Sequence, residues 1–128
     1  MKQTKLNRKL IMENLYQFDF NQSMEVSYEP TFEGDYESLI YDGIIANLNA
    51  IDKTIEEHLF NYSLKRLSFV DRAILRIAVY EIMFSELPVN IVINEAIMLT
   101  KKFSDLDDEK QHKFNNRVLD NIAKKIRG

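Results

Sequence analysis

Lys5, Arg8, Lys9 and Tyr16 stand close together near the start of the chain, within Lys-Leu-Asn-Arg-Lys-Leu-Ile-Met-Glu-Asn-Leu-Tyr. At about 100° per helical residue, Lys5 lies at 0°, Lys9 at about 40°, Arg8 at about 300° and Tyr16 at about 20°. Three bases, a tyrosine and Met12 therefore share one side of a helix. Such a stripe has the chemistry that single-stranded RNA binding uses: cations for phosphates, and a ring or hydroxyl for a base. A plain solvated basic face satisfies the same pattern, so the spacing alone leaves both readings open.

Residues suited to catalysis are scarce. The two histidines are His58 and His112. Neither has a second histidine at i+4, so the helical zinc pattern is absent, and a metal site at His112 would need more ligands than the nearby acidic stretch supplies. There are no cysteines, which excludes disulfides and thiolate chemistry. The three glycines, Gly34, Gly43 and Gly128, cannot build a phosphate-cradling loop. No Gly-x-Ser-x-Gly turn occurs. The inventory for an enzyme is thin, and no cofactor and no metal are expected.

The elements that position the basic stripe follow from composition and periodicity. At 128 residues, with 45% hydrophobic and 29% charged side chains, the chain has the length of one domain with a real core. Few glycines and prolines favour helices with short connections over a turn-rich β fold. Six helices are expected. The first covers about residues 4–20, with Ile11, Leu15 and Phe18 inward, and an irregular loop occupies 21–33. The second covers about 35–49 on Leu39, Ile40, Ile44, Ile45 and Leu48. The third covers about 52–62, capped by Asp52. The fourth, about 71–84, is apolar nearly all round and belongs in the middle of a bundle; Ser68 and Asp71 have capping-box spacing at its start. Glu81 within it reads as an edge charge or half of a buried pair. The fifth follows Pro88, and the sixth covers about 108–126 with Phe114, Val118, Leu119, Ile122, Ala123 and Ile126 inward.

Net charge is −3, but it is unevenly spread. Residues 1–10 hold four bases and no acid, and residues 21–57 hold nine acids against Lys53 alone. Residues 101–128 hold eight bases against five acids. An acidic protein binds nucleic acid where its bases gather on one face. No apolar stretch approaches a membrane span and no export signal opens the chain, so a soluble cytoplasmic protein is expected.

Three segments resemble the NusB family of bacterial transcription antitermination factors. Arg8-Lys9-Leu10-Ile11-Met12-Glu13-Asn14-Leu15-Tyr16-Gln17-Phe18 is similar to a basic opening followed by Leu-Tyr-x-aromatic. Val70-Asp71-Arg72-Ala73-Ile74-Leu75-Arg76-Ile77-Ala78-Val79-Tyr80-Glu81-Ile82, leading through Leu87-Pro88 into Ile91-Val92-Ile93-Asn94-Glu95-Ala96, resembles the family's central helix and its Val-Ala-Ile-Asn-Glu-Ala motif. Lys113-Phe114-Asn115-Asn116-Arg117-Val118-Leu119-Asp120 is similar to Lys-Phe-Val-Asn-Gly-Val-Leu-Asp.

The resemblance implies an all-α fold: one domain over 1–128, made of two small helical bundles sharing the long first helix. It implies binding of boxA RNA from ribosomal RNA leader transcripts together with NusE, a small-subunit ribosomal protein. That pair joins a complex on RNA polymerase that suppresses premature termination. Carried over by position, RNA contacts fall on Lys5, Arg8, Lys9, Tyr16, Phe114 and Arg117, and a NusE contact on Asp71. Plainer roles compete: Tyr16 and Phe114 as packed aromatics, Asp71 as a helix-start charge. Family members include monomers and dimers, so a homodimer stays open. Two departures stand out: Leu6 and Asn7 interrupt the basic opening, and Arg117 and Asn115 replace glycine and valine. Two other functions remain: an RNA-binding accessory module related to the domain attached to ribosomal RNA methyltransferases, and a helical protein–protein scaffold.

Overall fold

The structure is a computed structural model that describes residues 6–60, 62–105 and 109–128. Those residues form six α-helices and one 3-10 turn: α1 (Arg8–Ser23), α2 (Asp35–Ala46), α3 (Leu48–Glu56), the turn Leu64–Arg66, α4 (Phe69–Phe84), α5 (Val89–Phe103) and α6 (Lys110–Arg127). Among the described residues there is no strand, so the chain is all-α as expected.

The core explains the arrangement. Ile74, Leu75, Ile77, Val79 and Ile82 of α4 are buried on several sides, and α4 touches every other helix. α1 packs on α2 and on α4. Its Ile11 and Leu15 are fully buried, as the 3.6-residue period requires. Leu39 and Ile126, both expected inward, are exposed instead; Tyr41 and Ile44 carry the inner face of α2.

Helix ends account for the shifted boundaries. The first helix begins at Arg8 because the Asn7 side chain accepts from the Leu10 N–H at 3.1 Å, the ordinary N-cap bond. The residue that breaks the basic run is thus the cap. The helix ends past Phe20, where Glu25 turns left-handed (φ 59°) and the Val26 N–H reaches back to the Asn21 carbonyl at 2.9 Å. The second and third helices divide at Asn47. Its side-chain N–H₂ donates to the Gly43 carbonyl at 2.8 Å while its own carbonyl accepts from Ile51 at 3.0 Å. The third helix therefore begins at Leu48, and Asp52, expected to cap it, lies in its interior. The expected start of α1 at Thr4 and the 106–108 part of the acidic loop lie outside the described residues.

Polar side chains fasten the helices together. Arg76 of α4 donates to Asp52 at 2.8 and 2.9 Å and to Asp19 of α1 at 2.8 Å. Burial works against its charge, but the hydrogen bonds and field of Asp52 and Asp19 hold the guanidinium pKa above its ordinary value. Arg127, at the end of α6, donates to the carbonyls of Glu81, Ile82 and Ser85 at 3.0, 3.0 and 2.9 Å and to that of Leu87. It caps α4 with a cation where the helix dipole favours one. Asn14 pins the irregular 24–34 connection to α1: it accepts from the Tyr28 hydroxyl and, at 3.0 Å, from the Thr31 N–H.

Candidate nucleic-acid interface

The helical wheel placed Arg8 with Lys9 on an outward side; the structure separates them. Arg8 is only 9% exposed. Its guanidinium donates to both oxygens of Glu81, at 3.0 and 2.8 Å, and lies 3.7 Å from Glu95 of α5. Adjacent helical residues differ by about 100°, enough to turn one base inward when carboxylates wait there. Glu81 is thus half of a buried pair. Lys5 lies outside the described residues.

Lys9 does face outward, with its side chain 52% exposed. Its ammonium sits 5.6 Å from the centroid of the Phe103 ring, and that of Lys102 sits 5.5 Å from the same ring. Both distances fall within cation–π range. Phe103 closes an open crevice of about 400 Å³ lined by Met12, Glu13, Tyr16, Gln17 and Val70. Met12, expected on the basic stripe, is buried at the crevice floor. Tyr16 is half-buried, its ring edge-on to Phe69 at 5.8 Å and near-parallel to Phe20 at 6.4 Å. Arg72 lies over Phe69 at 4.8 Å. Tyr16 and Phe103 are thus the rings that line the crevice, and Phe69, Phe20 and Arg72 pack behind Tyr16.

A second groove opens on the other side of the α4 start. Phe114 packs edge-on against Tyr62 at 5.7 Å, and Arg66 lies over the Tyr62 ring at 5.4 Å. Leu67, Lys110 and Gln111 complete the lining. Lys113 and Arg117 are exposed on α6. Val70 lines the first groove and Leu67 the second, so both aromatic-and-basic surfaces open near the start of α4.

Between them lies Asp71, and here the expected surface charge is buried: it is 4% exposed. The Ser68 hydroxyl accepts from the Asp71 N–H at 3.0 Å and donates to its carboxylate at 2.9 Å. The cap foreseen at Ser68 forms, with the acid returning to the hydroxyl. Ser104 and Asn115 also donate to that carboxylate, at 2.7 and 3.3 Å. Asn115, fully buried, donates to the Thr100 hydroxyl at 3.1 Å and accepts from Gln111 at 3.1 Å. The valine-to-asparagine departure thus completes a polar network joining α4, α5 and α6, with every member partnered as burial demands. Beside it, His112 is held by Asp105 through its ring and through its N–H at 3.0 Å. Partial burial disfavours the Asp105 carboxylate, yet its bonds to His112 hold it below the usual carboxylate range.

The description "NusB family" fits residues 5–124 in a comparison with family models. The chain belongs to the NusB family. It is 42% identical over 123 residues to the transcription antitermination protein NusB of Bacillus licheniformis, covering 90% of this chain and 92% of that protein. The Bacillus cereus protein of the same name is 43% identical over 124 residues, with the same shares. Among solved structures, NusB of T. maritima matches at a TM-score of 0.76 and 32% identity, covering 94% of this chain and 93% of that one. A structure of antitermination factors NusB and NusE in complex with dsRNA matches at a TM-score of 0.72 and 27% identity, covering 92% of this chain and 93% of that one.

Within this NusB-family fold, Tyr16 lines one groove with Lys9 over its Phe103, Phe114 lines the other, Arg117 is exposed on α6, and Arg8 and Asp71 turn inside. Phe103, Lys102, Tyr62 and Arg66 were missed as surface features. Lys101-Lys102-Phe103 and Tyr62-x-x-Lys65-Arg66 were visible as basic-aromatic pairs, but nothing in the sequence brings residue 103 to residue 9, or residue 62 to residue 114.

Proposed function

We propose that this chain is a transcription antitermination factor that binds boxA RNA of ribosomal RNA leader transcripts together with NusE. The observation that carries the reading is the paired aromatic-and-basic surface at the α4 start, in a chain of the NusB family. Lys9, Lys102 and Arg117 supply phosphate contacts, and Tyr16 and Phe114 offer rings to bases. Lys5, outside the described residues, is a further RNA contact that the family resemblance implies. Arg8 and Asp71 act from inside: Arg8 fixes the register of α1 on α4 and α5, and Asp71 fixes the α4 start between the grooves. The domain spans 1–128, works in the cytoplasm and performs recognition without a catalytic step. RNA polymerase enters as the assembly on which the RNA–NusE complex acts.

A net acidic chain with few bases on its RNA face binds RNA weakly alone; a basic ribosomal protein docked beside it extends the positive surface. Coupling in a closed binding cycle is reciprocal and typically about 1–3 kcal/mol, or roughly 5- to 150-fold. The test titrates labelled boxA RNA with this chain and NusE, singly and mixed, with a duplex of the same sequence as a parallel arm. Tighter binding by the mixture than independent sites allow supports the reading. Additive binding overturns the composite site, and salt-independent or absent RNA binding would favour a protein scaffold instead.

A further inference from the structure

A third groove lies at the other end of α4. Three helices each give it two side chains one turn apart: Tyr36 and Ile40 of α2, Tyr80 and Phe84 of α4, Ile91 and Glu95 of α5. It is open and has a volume of about 730 Å³. Tyr36, Phe84 and Ile91 are 54%, 51% and 43% exposed, a clustered apolar surface of the kind that marks binding sites on soluble proteins. Phe84 is fifteen residues from Phe69, about 22 Å along the helix. The groove is therefore remote from both basic surfaces.

The floor is rigid. The Tyr80 ring packs on Phe84 at 5.2 Å and rests directly on Gly43, where a β-carbon would stand 2.4 Å from the tyrosine oxygen. The absence of a side chain at Gly43 is what lets Tyr80 lie flat. Arg127 holds the groove's edge by bonding the Ser85 and Leu87 carbonyls.

The charge around it is acidic. Glu86 and Glu95 line it, and Asp35 and Glu37 flank Tyr36 on α2. Of the two nearby cations among the described residues, Arg8 lines the groove and is matched by Glu81, with Glu95 3.7 Å away, and Arg127 is bonded to four carbonyl oxygens. Phosphate is repelled from such a rim, which disfavours nucleic acid, and a second copy would bring like charges together.

We propose that this groove docks a basic amphipathic helix of a protein partner, separate from the RNA surface. Pairs one turn apart on three walls suit apolar anchors at i, i+3/i+4 and i+7 of such a helix. Lysines or arginines beside the anchors meet Glu86 and Asp35, while Glu95 is shared with Arg8 and Glu37 accepts from the Asn7 N–H at 2.8 Å. The inference goes beyond the RNA reading and does not depend on it.

The experiment uses the isotope-labelled full chain and two 16-residue helical peptides with the same leucine stripe. One carries lysines on its other faces and one carries glutamates. The lysine peptide should shift the amides of Tyr36, Phe84 and Ile91, saturate, and weaken with salt; the glutamate peptide should bind at least about tenfold more weakly. The Asp35→Lys/Glu86→Lys variant should reverse that preference. Gly43→Ala should tip Tyr80 into the groove and weaken the lysine peptide, with RNA affinity unchanged. If the two peptides bind equally, if the shifts fall at Tyr16 or Phe114, if a 16-nucleotide RNA shifts the Tyr36–Phe84–Ile91 set, or if sedimentation finds these residues occluded in a dimer, the proposal is overturned.

Discussion

Replacing Arg8 with methionine distinguishes an inward structural role from direct RNA contact. The pair it belongs to is bidentate, at 3.0 and 2.8 Å, with Arg8 and Glu81 side chains 9% and 3% exposed. Removing one partner of a buried pair costs about 3–5 kcal/mol, because the other charge stays buried and unmatched. An unfolding entropy of about 2.1 cal/mol/K per residue gives about 0.27 kcal/mol/K for this length, so Tm should fall by roughly 11–19 °C. Arg8→Met/Glu81→Gln should lose less than the sum of its single changes, with a coupling of about 0.5–3 kcal/mol. The assay is thermal unfolding by circular dichroism for all four proteins, with RNA affinity measured over a salt series well below the lowest Tm. RNA affinity and salt slope should be nearly unchanged in Arg8→Met. Lys9→Met should do the reverse, keeping Tm and lowering the magnitude of the single-strand slope by about 0.7 per lost phosphate contact. A Tm loss under about 4 °C for Arg8→Met, joined to a slope change near 0.7, would refute the buried-pair assignment and return Arg8 to the RNA surface.

Asn115→Val, which restores the family residue, should destabilise by about 1–3 kcal/mol because it removes a donor to the buried Asp71 carboxylate and to Thr100; urea unfolding checks it, and an equal or more stable variant would mean the network is dispensable. Burial, helped by Tyr28, Asp42 and Asp19, pushes the Tyr41 pKa up to about 12, so its contribution is complete below pH 10 and falls by about 1.4 kcal/mol per pH unit from pH 10 toward 12. Tyr41→Phe should flatten that alkaline arm of a stability–pH curve. Asp105 has the opposite sign: its lowered pKa gives stability that is present above the ordinary carboxylate range and is lost as pH falls through the folded value. His112→Ala should shrink that acid-side loss; an unchanged acid limb would show that the pair contributes nothing.

The sequence by itself determined the helix count, the central place of the fourth helix and the family, because these rest on local periodicity and on motifs that survive as strings of residue types. It also marked Ser68 as a cap and left Glu81 between an edge charge and a buried pair. The tertiary structure decided which way the charges point. A helical wheel places Arg8 and Lys9 within about 100° of each other; only the docking of α4 and α5, with Glu81 and Glu95 on them, turns one inward and leaves the other over Phe103. Asp71 reads as an exposed acid until Ser104 and Asn115, 33 and 44 residues away in sequence, close around it. The Phe103 crevice, the Tyr62–Phe114 groove and the seat of Tyr80 on Gly43 likewise join residues far apart in the chain. Pairings of that kind are fixed by how helices cross and how their side chains interlock, and no local pattern encodes the crossing.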